Sequence, residues 1–528
     1  MQKRAGVLIA AGALIASAVT AVPSAAEPSA PEPRAPQKLS WKACATEEFP
    51  KLQCATLRVP LDHDDPGGRQ ITLALSRVPH TARTSQGPLL VNPGGPGASG
   101  RDLAGFVAAS LPARVAAQYD VVGFDPRGVG ASRPALDCEP GHFAPVRPDS
   151  VPRDQDEEQL SLARAARFAR ACGERHGALL PHIHTVAAAR DLDAIRAALG
   201  AERISYFGYS YGTYLGAVYA RLFPQRVRRL ALDSVVNPRA VWYDANMAQD
   251  HAFDARHKAF LAWVARHDAT YRLGTDPAKV EARWYAMRAE LRERPAGGKV
   301  GPAELEDTFL PGAYHDGYWP LLAKAFAAYA KDKDGKPLTD AYRTVGAIDA
   351  SGHNGYSVYA AVQCRDAHWP KAWGTWHRDH WEAHAKAPFS TWNNAWYNAP
   401  CAFWPVPSLT PLDVANDALP PVLLLQATED AATPYEGAVA ARGLLRGASL
   451  VVEQGGGNHG VSLRGNTCAD RHLVRYLETG AVPRGDGRGE ADAVCPARPA
   501  PEPTASARGA ATAPHASGLR MWARPHGI

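Results

Sequence analysis

The sequence predicts an α/β fold: a mostly parallel, doubly wound sheet carrying a large, mainly helical lid insertion. Three observations predict it. Short apolar runs of strand length alternate with helix-length patterns from about Lys38 to Val236, the sign of parallel strands joined by crossover helices. The alternation resumes from about Thr410 to Cys495 and supplies the closing strands. Between these blocks, residues 237–409 are far too many for a loop between two strands, and they read as helical, for example Ala252 to Tyr271 and Pro277 to Arg292. Eleven of the thirteen tryptophans lie in this insertion, from Trp242 to Trp404, so it is a lid with its own core rather than a linker. At 528 residues, 46% hydrophobic and 21% charged, the chain has the apolar material for so large a core.

The elements follow in chain order. Lys3 and Arg4 precede an apolar run from Ala5 to about Val22, and Ser24-Ala25-Ala26 offers small residues for cleavage, so residues 1–26 read as a signal peptide. The run is short, rich in Ala and Gly and closed by Pro23, which argues against a lasting membrane anchor. Residues 27–37 form a Pro/Ala-rich linker or pro-segment. The first strand-helix block, residues 38–236, includes a strand at Pro88 to Val91 and another at Tyr119 to Phe124, the latter ending in a buttressing loop, Asp125 to Gly130. A helix is expected from Thr185 to Leu199, capped by Thr185 and ended by Gly200. The second block spans 410–495, and the Pro/Ala/Ser-rich tail 496–528 is expected to be disordered. The net charge of +5 is small for this length and no basic block interleaves with aromatics, so no nucleic-acid partner is indicated.

The chemistry is carried by Gly208-Tyr209-Ser210-Tyr211-Gly212. It follows a strand pattern, Ile204 to Phe207, and opens a helical one, the setting of a nucleophile elbow that exposes a serine on a sharp turn. A serine hydroxyl needs a base and an orienting acid, which in such folds follow in the order Ser, acid, His. The strand run Pro421 to Gln426 leads into a turn-rich loop with Asp430, whose rival is the adjacent Glu429. The next strand, Ser449 to Glu453, runs into a glycine-rich loop bearing His459. Of nineteen histidines, His459 has the required strand-loop setting downstream of Ser210 and Asp430. The oxyanion donors are expected to be the backbone N–H groups of Tyr211 and of Gly95, in the Gly-Gly-Pro-Gly turn after the Pro88 strand.

Asn92-Pro-Gly-Gly-Pro-Gly97, Gly123-Phe-Asp-Pro-Arg-Gly-Val-Gly130, Gly208-Tyr-Ser-Tyr-Gly-Thr-Tyr-Leu-Gly216 and Asp430-Ala-Ala-Thr-Pro-Tyr-Glu-Gly437 together resemble secreted tripeptidyl aminopeptidases of actinomycetes. Those belong to the proline-iminopeptidase group of serine peptidases with the α/β-hydrolase fold. The likeness extends from about Trp41 to Cys495 and includes Asp233-Ser-Val-Val-Asn-Pro238 and Cys401-Ala-Phe-Trp-Pro405. It implies that Ser210, Asp430 and His459 form the triad, in agreement with the residue-level reading. It departs at the oxyanion loop, where Pro93 replaces the histidine usual in proline iminopeptidases and leaves the backbone donors intact. The resemblance implies a secreted, extracellular exopeptidase that releases short peptides, tripeptides by preference, from free N-termini of peptides and proteins. No metal or organic cofactor is required. A carboxylesterase or lipase-like hydrolase is the alternative on the same scaffold, and a non-catalytic binding protein a further one, against which the complete triad argues.

Eight cysteines in an exported chain suit disulfides, and no Cys/His spacing fits zinc. They permit 105 connectivities. Proximity in sequence suggests Cys44–Cys54, Cys138–Cys172, Cys364–Cys401 and Cys468–Cys495, and the resemblance supports neighbours pairing this way. An exopeptidase pocket also needs a carboxylate for the substrate's free ammonium, because an unpaired buried charge is costly. Asp250 and Asp366 are the lid's two candidates; either could instead be an ordinary solvated or capping acid.

Overall fold

Ten strands form a single sheet in this computed structural model, which describes residues 37–485 and 489–503. They are β1 (Lys42–Ala43), β2 (Gln53–Pro60), β3 (Gln70–Val78), β4 (Pro88–Asn92), β5 (Asp120–Asp125), β6 (Ile204–Tyr209), β7 (Val227–Asp233), β8 (Val422–Ala427), β9 (Ala448–Gln454) and β10 (Ala493–Pro496). Their spatial order is β1-β2-β3-β5-β4-β6-β7-β8-β9-β10. The pairings from β5 to β10 are all parallel, and β1, β2 and β3 extend one edge antiparallel.

Parallel strands with helices on both faces bury both sets of side chains, so they read as continuous apolar runs. β4, β6 and β8 are buried at every position. Alternate residues face opposite layers. Leu90, Tyr206, Leu232 and Leu424 join one apolar cluster, with Leu192 and Leu215 of the helices Thr185–Ala198 and Tyr211–Leu222. Leu89, Phe207, Ala231 and Leu423 join the other, with Phe106 and Leu473 of the helices Arg101–Ser110 and Thr467–Thr479.

The insertion between β7 and β8 is helical, as its composition predicts. Its long helices include Tyr243–Arg266, Pro277–Glu293, Pro302–Tyr314, Trp319–Asp332 and Ala350–Asp366. They enclose a third apolar cluster built on Phe260, Trp263, Trp284, Trp319, Phe326 and Phe389, which also takes in Ala431 and Ala432 of the loop after β8. Most tryptophans are packing elements: Trp369, Trp376, Trp373 and Trp396 stack in series with ring centroids 5.0–5.8 Å apart. Paired buried charges fasten the lid to the β5–Gln155 connection. Arg147 meets Glu304 and Asp307, while Arg288 meets Asp149 and Glu306. Removing one partner of such a pair would leave a buried charge uncompensated, at about 3–5 kcal/mol.

Two features differ from expectation. The helix at Thr185 is capped by His184, whose Nδ1 accepts the Ala187 amide at 3.3 Å; Thr185 is already helical because its own amide and hydroxyl are bound by Asp366. Residues 496–503, expected to belong to a disordered tail, are ordered. Pro496 ends β10, Arg498 donates to Glu453 and Arg464, and the carbonyls of Pro501 and Pro503 accept from Trp263 and Tyr271 of the lid. Those polar contacts explain the order of 497–503 despite a Pro-rich composition. The remainder, 504–528, lies outside the described residues, as do residues 1–36, which hold the expected signal peptide and all but the last residue of the expected linker.

Four disulfides link Cys44 to Cys54, Cys138 to Cys172, Cys364 to Cys401 and Cys468 to Cys495, with Cα atoms 4.4–5.7 Å apart. Among the described residues there is no free cysteine. Cys468, His472 and Cys495 sit close enough to suggest a metal site, but both sulfurs are joined in a disulfide and offer no thiolate. Among the described residues no helix is long and apolar enough to cross a membrane.

Candidate active site

Strands β6, β8 and β9 end on the same edge of the sheet, and the loops that follow them bring Ser210, Asp430 and His459 to that edge. Ser210 has φ 54° and ψ −129°, the strained conformation of a residue forced to turn directly from a strand into a helix. Gly212 makes the turn possible, since a Cβ there would stand 2.8 Å from the Asn92 carbonyl oxygen. Ser210 lies at the N-terminus of the helix Tyr211–Leu222, whose dipole favours negative charge beside it.

Asp430 is 2% exposed and meets four donors. Its Oδ1 accepts the amides of Ala432 and Thr433 at 2.9 and 3.0 Å, its Oδ2 accepts the Thr433 hydroxyl at 3.0 Å, and His459 Nδ1 lies 2.8 Å from Oδ2. With Nδ1 against the carboxylate, Nε2 is the nitrogen that can exchange a proton with a nucleophile. Glu429 points elsewhere. Its half-exposed side chain pairs with Arg256 at 3.3 Å. The structure therefore places Asp430, and not Glu429, against the histidine.

The lid builds part of this centre. The His459 amide donates to the Tyr314 carbonyl at 2.8 Å, and the Tyr314 ring meets the imidazole edge-on at 5.5 Å. Asn458 Oδ1 accepts the Asp316 amide at 2.8 Å. On the opposite side, Gly97 has φ 104°, and a Cβ there would overlap the Gly355 carbonyl of the lid helix Ala350–Asp366. Gly97→Ala is therefore expected to push the 94–97 turn off its seat and lower kcat by about 10²–10³-fold, the usual cost of an oxyanion donor. Steady-state kinetics beside a thermal melt check this: a fall in kcat with little change in KM is the expected pattern.

Ser210 opens into a cavity of about 310 Å³. Gly95 and Tyr211 line it on the sheet side, where the Gly94 amide is taken up by Asn92 Oδ1 at 3.0 Å. Trp242, Phe253, Leu310 and Tyr314 of the lid supply apolar walls, and Asn246, Gln249, Asn393 and Asn394 supply amides. The two sequence-level ammonium anchors separate here. Asp366 is not on this cavity: its oxygens accept the Thr185 amide at 2.8 Å and hydroxyl at 2.5 Å, and Thr185 Oγ1 in turn meets the Tyr211 hydroxyl at 2.8 Å. It clasps a helix terminus and braces Tyr211, so it is withdrawn as an anchor. Asp250 is buried directly behind the wall. Its Oδ1 accepts from Asn394 Nδ2 at 2.8 Å, while its Oδ2 has no hydrogen-bond partner among the described residues. Burial without a cation pushes its carboxyl well above the ordinary range. Sequence reasoning missed Asp307, which does line the cavity but is balanced by Arg147 and by Asn393 Nδ2 at 2.9 Å. No local signal marks Asp307, because its facing direction depends on how the lid helices pack.

A strained serine on a strand-to-helix elbow, with a carboxylate-bound histidine at the same end of the sheet, defines a serine hydrolase of the α/β-hydrolase class. Comparison with known proteins narrows this. Residues 387–504 match the family described as TAP-like protein. The chain is 45% identical to a tripeptidyl aminopeptidase of Streptomyces lividans over 480 residues, 88% of each chain. It is 33% identical to the serine protease Hip1 of Mycobacterium tuberculosis, over 85% of this chain and 90% of that one. It is 34% identical to a protein named carboxylesterase B from the same species, over 84% and 88%. The chain belongs to the tripeptidyl aminopeptidase family of α/β-hydrolase serine peptidases.

Proposed function

We propose that this enzyme is a secreted exopeptidase that removes short peptides, tripeptides by preference, from free N-termini, with Ser210, His459 and Asp430 as its triad. In this reading His459 Nε2 takes the Ser210 proton as Oγ attacks the scissile carbonyl, and then donates it to the leaving amine. Asp430 keeps the proton-bearing Nδ1 oriented and stabilises the imidazolium. The amides of Gly95 and Tyr211 receive the oxyanion, each worth about 3–4 kcal/mol of barrier. Water, activated by the same histidine, then hydrolyses the acyl-enzyme and restores Ser210. The homology to a tripeptidyl aminopeptidase and the four disulfides support secretion and peptide release.

One observation carries the exopeptidase reading: the unpartnered Asp250 oxygen behind the cavity wall. Asp307 already faces a guanidinium, whereas Asp250 has a single amide donor and no cation. A substrate ammonium held by Asp250 and Asn394 supplies the missing partner. The sign of the pH dependence follows. Burial raises the Asp250 carboxyl in the free enzyme and an ammonium beside it lowers it again, so substrate binding favours loss of its proton and tightens as pH rises, until the substrate amine itself deprotonates at about pH 8.

Asp250→Asn is accordingly expected to raise KM for an unblocked tripeptide anilide by roughly 10²-fold while changing KM for a short acyl ester less than about threefold, a difference of the size of one charge-assisted contact. The N-acetylated tripeptide should be refused by the wild type. Efficient cleavage of N-blocked or internal peptide bonds would sink the exopeptidase reading, and turnover of esters alone would favour a carboxylesterase.

A further inference from the structure

We infer that Asp233, the last residue of β7, is a positioning residue that couples the nucleophile to the histidine loop. This rests on the roles proposed above for Ser210 and His459. The Asp233 carbonyl accepts the Ser210 amide at 3.0 Å, so its main chain holds the elbow. Its side chain reaches the other partner. Oδ1 accepts the Val461 amide at 2.9 Å, and Oδ2 accepts the Ser462 amide at 2.8 Å and the Ser462 hydroxyl at 2.5 Å. The neighbouring Ser234 hydroxyl accepts the Gly460 amide at 2.7 Å. Three consecutive amides immediately after His459 are therefore fixed by two consecutive residues, the first of which also fixes Ser210. Ser234 itself has φ 57°, a left-handed conformation that serine rarely adopts and that aims its hydroxyl at this turn.

The carboxylate is wholly buried, and among the described residues no cation lies within ion-pair distance of it. A neutral side chain would spare the fold that desolvation cost. What a carboxylate provides, and an amide does not, is acceptors on both oxygens for the three converging donors of Val461 and Ser462, besides the Ser234 hydroxyl at 3.4 Å from Oδ1. Burial pushes Asp233 up to about 6, an effect the Ser462 hydroxyl, the two amides and the charge of Arg464 partly oppose. The groups that face this cluster are Tyr209 of β6, whose hydroxyl donates to the Ser462 carbonyl at 2.8 Å, Arg464 and His459 of the loop itself, Asp470 of the helix Thr467–Thr479, which accepts the Leu463 amide, and Tyr318 of the lid, near Arg464. Once protonated, Asp233 presents a donor to three donors, and the turn behind His459 loses an acceptor. Activity on the acid side then falls as Asp233 gains its proton.

The test measures the rate of Ser210 labelling by a serine-directed phosphonate, and kcat for a short acyl ester, against pH. It compares the wild type with Ser462→Ala, Asp233→Asn and the double variant. Ser462→Ala removes one donor from the ionised carboxylate and is expected to move the acid-side midpoint up by about half a pH unit or more. Asp233→Asn is expected to lower kcat by roughly 10²-fold with KM within about twofold. In the Asp233→Asn background, Ser462→Ala should produce no further midpoint shift. An unmoved midpoint in Ser462→Ala, or the same shift persisting in the double variant, overturns the coupling. If Asp233→Asn does not fold, the Ser462→Ala midpoint alone decides. A wild type that is not labelled at Ser210 would overturn the nucleophile assignment, and this coupling with it.

Discussion

Replacement of Ser210 by Ala is expected to abolish covalent labelling by a serine-directed phosphonate and to lower kcat by roughly 10⁶-fold, because the residues of a triad act as a unit and no other group can take over the attack. The fold should survive. Ser210 is 7% exposed, its side chain caps no helix amide, and the elbow is held by its backbone and by the glycines around it. A thermal melt and a titration with the phosphonate separate loss of chemistry from loss of structure. His459→Ala should be about as damaging, since without a base the hydroxyl is not activated. Labelling that persisted in Ser210→Ala would show that a different residue attacks.

Asp430→Asn is expected to cost about 10⁴-fold in kcat, because the amide favours the wrong imidazole tautomer and cannot stabilise the imidazolium. Glu429→Gln provides the contrast. Its side chain is half-exposed and directed at Arg256, so its loss should leave kcat within a few-fold of the wild type. The reverse outcome would transfer the acid role by one residue. Thr433 is part of the same argument: its amide and hydroxyl both donate to Asp430, so the Asp-x-x-Thr spacing is a small cage that keeps the carboxylate aimed at His459.

The strand-turn-helix at Ser210 and the strand-loop settings of Asp430 and His459 were legible in the sequence because each is local. A buried parallel strand is a run of apolar residues, and the turn after it must carry glycine or short polar residues within a few positions. The resemblance to a peptidase family rested on those same motifs and extended naturally to the fold. The cap at His184 was misread for a reason of range: Thr185 looks like a cap, but Asp366, 181 residues away, draws its amide and hydroxyl into another role. The end of the tail was misread likewise. Pro501 and Pro503 belong to a composition that orders poorly alone, and they are held by donors on two successive lid helices more than 200 residues earlier.

By itself, then, the sequence determined the α/β class, the helical nature of the insertion and the strand-end positions of the serine, acid and histidine proposed as the triad, since these are set by periodicity and by the conformational needs of single turns. Tertiary structure alone decided which acids face the substrate cavity. Asp250 and Asp366 look equivalent in a lid sequence, yet one ends with an unpartnered oxygen behind Asn394 and the other is saturated by Thr185. It also decided that Asp307 lines the cavity and that Asp233 reaches across to Val461 and Ser462. The physical reason is common to all four. The free energy of a buried carboxylate is set by the donors and cations that meet it, and here each meets them from 86 to 229 residues away along the chain.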